Sequence, residues 1–110
     1  MAIFGKKKTE TTEAVKPAQA IDNLIMEQLT DNDNKAAELV DSLKNGSPLI
    51  INFEELEPIA ANKMLAFFAG ACYALDGRSV KINEKTYLFA KRTEFFDGSI
   101  QKFLDNLPKA

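Results

Sequence analysis

From Met64 to Leu75 the chain reads Met-Leu-Ala-Phe-Phe-Ala-Gly-Ala-Cys-Tyr-Ala-Leu, without one charged residue. With Pro58 at a favourable first position, the stretch from Pro58 to Leu75 is expected to form one helix with almost no polar side. A surface helix of a small domain carries one apolar stripe, so a helix apolar all round has to be covered on every side. It is too short to cross a bilayer, which takes about 20 apolar residues. A domain of this size covers one face with its own sheet, and the remaining faces then call for a second copy or a partner. Assembly is therefore the first property the sequence implies.

The rest of the core has to come from the residues around that helix. The chain has 110 residues, 45% of them apolar and eight of them phenylalanine, which is material for one domain that gains from oligomerisation. Histidine is absent, and the single cysteine, Cys72, sits inside the apolar helix, so one chain cannot assemble a disulfide or a zinc site. With no charged neighbour from Phe67 to Leu75, Cys72 reads as a small buried hydrophobe rather than a nucleophile. A net charge of −2 conceals a split along the chain. Acidic residues dominate from Ile21 to Asn62, and basic ones (Lys63, Arg78, Lys81, Lys85, Lys91, Arg92) from Lys63 to Arg92. That split either draws an acidic peptide to one end or is an ordinary solvated mixture.

The opening Met1-Ala-Ile-Phe-Gly-Lys-Lys-Lys8 joins a small apolar cluster to three lysines, and a Thr/Ala/Glu-rich stretch with Pro17 follows. This is expected to be a tether (1–8) and a linker (9–21) ahead of a core domain (22–107). It lacks the long apolar region of a secretory signal. Ile3 and Phe4 inserting while Lys6, Lys7 and Lys8 meet anionic headgroups would give a weak membrane contact, reinforced by avidity on an oligomer. A solubilising tail is the equal alternative.

Beyond the linker, Asp22 to Leu29 reads as helix or strand. Asp31 and Asp33 offer N-caps for a helix carrying Ala36, Ala37, Leu39, Val40 and Leu43, and Asn45-Gly46 ends it. Pro48 to Phe53 is expected to be a buried strand, and Asp76-Gly77 a turn closing the long helix. Ser79–Ile82 and Thr86–Ala90 read as a hairpin, and Gly98–Leu107 as a short amphipathic helix. The expected fold is α/β, an α+β sandwich with a small mixed sheet, in the order β-α-β-α-β-β-α.

Chemistry is sparse in this sequence. The glycines are scattered and form no phosphate loop. Glu54, Glu55 and Glu57 have no second acidic cluster and no histidine to work with, so they read as a solvated turn before a helix N-terminus, and neither an enzyme nor a cofactor is expected. Arg78, Lys81, Tyr87, Phe89, Lys91 and Arg92 interleave basic and aromatic residues on the hairpin, the vocabulary of a small RNA- or DNA-binding module. The pI of about 5.2 argues against it.

The runs Gly46-Ser-Pro-Leu-Ile-Ile-Asn-Phe53, Ala60-Ala-Asn-Lys-Met-Leu-Ala-Phe-Phe-Ala-Gly70, Tyr73-Ala-Leu-Asp-Gly77, Val80-Lys-Ile82 and Tyr87-Leu-Phe89 resemble the core of the SepF family, cell division proteins that anchor FtsZ to the membrane. The resemblance covers about Asp22 to Leu107 and implies that Asn23–Leu29 is the first strand of a dimeric α/β domain. It implies binding of the FtsZ C-terminal tail at Lys81 and Tyr87, with Phe67, Phe68 and Leu88 as wall residues. It also implies self-association through Ala66, Gly70 and Tyr73, and membrane contact through Ile3, Phe4, Lys6, Lys7 and Lys8, at the cytoplasmic face of the division site. Ala66 replaces an acidic residue common in the family.

Overall fold

The computed structural model describes residues 19–108. Its elements are β1 (Ile25–Gln28), α1 (Asp33–Lys44), β2 (Leu49–Asn52), α2 (Pro58–Ala74), β3 (Gly77–Asn83), β4 (Thr86–Lys91) and α3 (Ser99–Asp105), with 3-10 turns at Ala20–Asn23 and Arg92–Phe95. The expected order is found, and the sheet is mixed. Its strands run β1-β2-β4-β3, with β1 parallel to β2 and the other two pairs antiparallel. A parallel pair cannot be joined by a tight turn, and α1 supplies the crossover between β1 and β2.

Alternation along the strands divides the interior in two. Leu49, Ile51 and Phe89 face α1 and α2, where they meet Leu29, Leu39, Leu43, Met64 and Phe68. Ile50, Leu88 and Ala90 face the other way, against Ile100 of α3 and Ala20 of the first turn. Ala20 and Ile21, placed in the linker on composition, thus belong to the second core.

Local chemistry accounts for the ends of the elements. Asn32, rather than Asp31 or Asp33, caps α1, its side chain accepting from the Lys35 N–H at 3.0 Å. Gly46 leaves the helix at φ 103°, a conformation glycine adopts without steric cost. At the end of α2 the left-handed residue is Asp76 (φ 59°), not Gly77. Its carboxylate accepts two hydrogen bonds from the Arg92 guanidinium, at 3.1 and 2.7 Å, and this lowers the Asp76 pKa. Gly77 is needed for a different reason: a Cβ there would lie 2.5 Å from Cys72 Sγ and 2.7 Å from the Ala90 carbonyl oxygen.

The two edges of the sheet differ. β1 is four residues long, while β3 is seven and carries an irregularity between Lys81 and Asn83.

Candidate functional site

At 100° per residue, Met64, Phe68 and Cys72 form the stripe of α2 that faces the sheet, and all three are buried. Ile59, Ala66, Gly70 and Tyr73 fall on the opposite side and are exposed, Ile59 and Tyr73 each to 86%. The helix is therefore covered on one face only, and the uncovered face is apolar from Ala66 to Ala74, with the exposed Asn62 and Lys63 on its first half. A Cβ at Gly70 would meet nothing within 4 Å, so packing within the domain places no demand on that glycine. Cys72 is as expected: burial, the leading influence, pushes its thiol pKa up, and its Sγ lies 3.4 Å from the Arg78 carbonyl oxygen.

Lys81 and Tyr87 stand directly opposite each other on β3 and β4, at the end of a row that continues inward through Ile51. Residues paired across strands share a face, so the lysine emerges on the side of the sheet that carries α2. The Tyr87 ring is half-buried, set edge-on to Phe53 at 6.0 Å and stacked on Phe89 at 6.2 Å. Lys81 is exposed and lies 3.5 Å from Glu84, a surface pair of small energetic worth. The arrangement is a fixed aromatic plate beside an exposed cation whose only ion-pair partner among the described residues is the exposed Glu84, suited to an extended peptide with acidic and apolar groups.

The wall residues do not gather around this pair. Leu88 follows Tyr87 by one position, so alternation sends it to the opposite face, fully buried under α3. Phe68 is also fully buried, stacked on Phe89 at 5.6 Å, and supports the Lys81–Tyr87 patch from below without lining it. Phe67 turns toward α1 and is 43% exposed. There it lines a groove of about 380 Å³ with Asp33, Ala36, Ala37, Lys63 and Met64. Lys63 is held protonated by hydrogen bonds from its ammonium to Asp31 (3.0 Å) and Asp33 (3.4 Å), which raise its pKa.

Folding also disperses the charge split of the sequence. Lys63 joins the acidic half, Arg92 pairs with Asp76, and Lys91 donates to the Lys44 carbonyl oxygen at 2.9 Å. Nor does the hairpin display aromatics as a nucleic-acid platform requires, because Phe89 is fully buried and Tyr87 half-covered. Glu54, Glu55 and Glu57 are exposed, and among the described residues no three His, Cys, Asp or Glu side chains are grouped to hold a metal. No helix of the described residues is long and apolar enough to cross a membrane. Ile3, Phe4, Lys6, Lys7 and Lys8 lie outside the described residues.

Two participants were missed from sequence. Ile59 extends the free stripe of α2 by two turns, and helical spacing from Ala66 would have found it. Phe53 fixes the Tyr87 ring, a role that no spacing signals.

The family described as Cell division protein SepF matches residues 29–92, more than half of the chain, from the residue after β1 through the hairpin. The chain belongs to the SepF family. Curated SepF proteins agree. The chain is 40% identical to that of Alkaliphilus oremlandii over 75 residues, 68% of this chain and 51% of the relative. It is 37% identical to that of Carboxydothermus hydrogenoformans over 67 residues, 61% and 49% respectively. To that of Alkaliphilus metalliredigens it is 40% identical over 72 residues, 66% and 49%. The chain thus spans about half the length of the curated SepF relatives it matches. Membership places it in cell division, and the match contains the whole of α2, Lys81 and Tyr87.

Proposed function

We propose that this SepF-family chain is a non-enzymatic adaptor. It binds the C-terminal tail of FtsZ at Lys81 and Tyr87, joins copies of itself through α2, and touches the anionic inner face of the membrane through Ile3, Phe4, Lys6, Lys7 and Lys8. The observation that carries the reading is the pairing of an exposed lysine with a held aromatic on the α2 side of the sheet, beside an uncovered apolar helix face. The resemblance suggests the tail as ligand, and a lysine beside a held aromatic supports that reading by its chemistry.

The tail site is tested by titrating a fluorescent FtsZ C-terminal tail peptide at near-physiological salt. A Lys81→Glu, Tyr87→Ala double variant is expected to bind at least about 100-fold more weakly, because a reversed charge and a lost aromatic anchor each cost more than about 1.4 kcal/mol. Circular dichroism matching the parent would show that the fold survives. Equal affinity of variant and parent removes Lys81 and Tyr87 from the site, and no binding by the parent removes the tail as ligand.

For self-association, Ala66 and Gly70 provide a low centre on which another helix can lie close. Ile59 and Tyr73 stand two turns to either side of Ala66. An antiparallel second copy centred there sets the Ile59 of each copy beside the Tyr73 of the other. Gly70→Lys is expected to abolish assembly beyond the smallest species in analytical ultracentrifugation. Because a Cβ at Gly70 meets open space, fold stability is expected to hold or rise by up to about 1 kcal/mol, the helix-propensity difference. An unchanged size distribution would show that copies meet elsewhere.

A further inference from the structure

The second face of the sheet is closed by two short pieces from opposite ends of the described chain, the turn at Ala20–Asn23 and α3. Neither has the length to be stable alone. Their backbone hydrogen bonds stay local: Asp22 N–H to the Gln19 carbonyl, Leu24 N–H to Ile21, Lys102 N–H to Gly98. The hydrogen bonds that join them to each other come from one side-chain cluster. The Asp97 carboxylate accepts from the Ala20 N–H at 2.8 Å, the Ser99 N–H at 2.9 Å and the Ser99 hydroxyl at 2.7 Å. The Ser99 oxygen in turn accepts from the Ile21 N–H at 3.1 Å. These donors hold the Asp97 carboxyl below the usual range, led by the Ser99 N–H. Beneath the cluster Ile21, Leu24, Ile100, Phe103 and Leu104 pack on Ile50, Leu88 and Ala90.

We propose that Gln19–Leu24 and α3 form one cover, buttoned by Asp97 and Ser99, that opens as a unit and bares the apolar sheet face of Ile50, Leu88 and Ala90 while the strand ladder stays intact. The contrast in bonding carries this. The strands hold one another through backbone pairing, whereas the cover rests on the sheet through apolar side chains and, among the described residues, its hydrogen bonds stay within the cover and the turn leading into α3. Segments bonded in that way open below the free energy of global unfolding. Because Ala20 and Ile21 share the Asp97–Ser99 button with α3, an event that displaces the strap Gln19–Leu24 also lifts α3.

Hydrogen exchange on the full chain tests the proposal. In Asp97→Ala and Ser99→Ala, amide protection of residues 20–24 and 100–105 is expected to fall together, by at least about tenfold in Asp97→Ala, with β2 and β4 amides unchanged. A several-fold rise in the fluorescence of a hydrophobic dye should accompany it. Ile21→Asp, placed in the strap alone, is expected to lower the protection of α3 as well. Loss confined to one piece, no loss in either, or loss of β2 and β4 protection in step with the cover would each overturn the inference.

Discussion

Phe68→Ala is expected to destabilise the domain by about 3–5 kcal/mol, the range for emptying a buried phenylalanine site. Phe68 is fully buried at the centre of the first core, edge-on to Phe53 at 6.4 Å, edge-on to Phe67 at 5.5 Å and stacked on Phe89 at 5.6 Å. Its removal leaves a cavity between α2 and the sheet that rigid strands cannot collapse to fill. Small domains have a total stability of only about 5–15 kcal/mol, so much of it would be lost. Phe67→Ala, one residue earlier and 43% exposed, should cost far less. Urea titration of both variants decides: a midpoint shift that is similar for the two would mean that α2 is rotated from the position described. A secondary loss of tail binding in Phe68→Ala is also expected, because Phe89 and with it Tyr87 lean on the deleted ring.

Gly77→Ala is expected to destabilise by about 1–3 kcal/mol, the cost of forcing extra atoms into a packed site. The sign is the informative part, since replacing a glycine within a strand by alanine ordinarily gains about 0.5–1 kcal/mol. At Gly77 the added carbon meets Cys72 Sγ at 2.5 Å and the carbonyl oxygens of Ala90 and Cys72 at 2.7 and 2.9 Å. A sulfur at the end of a side chain can be removed, but two backbone oxygens cannot. Adding Cys72→Ala to Gly77→Ala should therefore recover only part of the loss, and full recovery in thermal unfolding would show that the backbones of α2 and β3 are free to separate.

How much of this was legible depended on the kind of signal each residue carries. β2, α2 and the hairpin announced themselves through apolar runs and turn residues, and their order followed. Rotation of α2 was not legible, because a helix apolar on every side has no moment to orient it, and only the packed sheet distinguishes Phe68 from Phe67. The α1 cap was ambiguous for a related reason: Asp31, Asn32 and Asp33 are all able to cap, and the choice of Asn32 is made by backbone geometry. Leu88 was a readable error, since period two already places it opposite Tyr87. The Asp97–Ser99 cluster was invisible, for its partners are 77 and 78 residues apart and no local pattern connects them.

The irregular, basic edge of the sheet limits how this molecule can crowd. A regular exposed strand offers free backbone donors and acceptors to any neighbouring strand, and stacks of such pairings lead to fibrils. Here β1 is too short to template a long ladder, and β3 is interrupted between Lys81 and Asn83 and bears Arg78 and Lys81. Neighbours brought to high density thus find little at either strand edge to extend into a ladder, and crowding alone does not turn this sheet into the seed of a fibril.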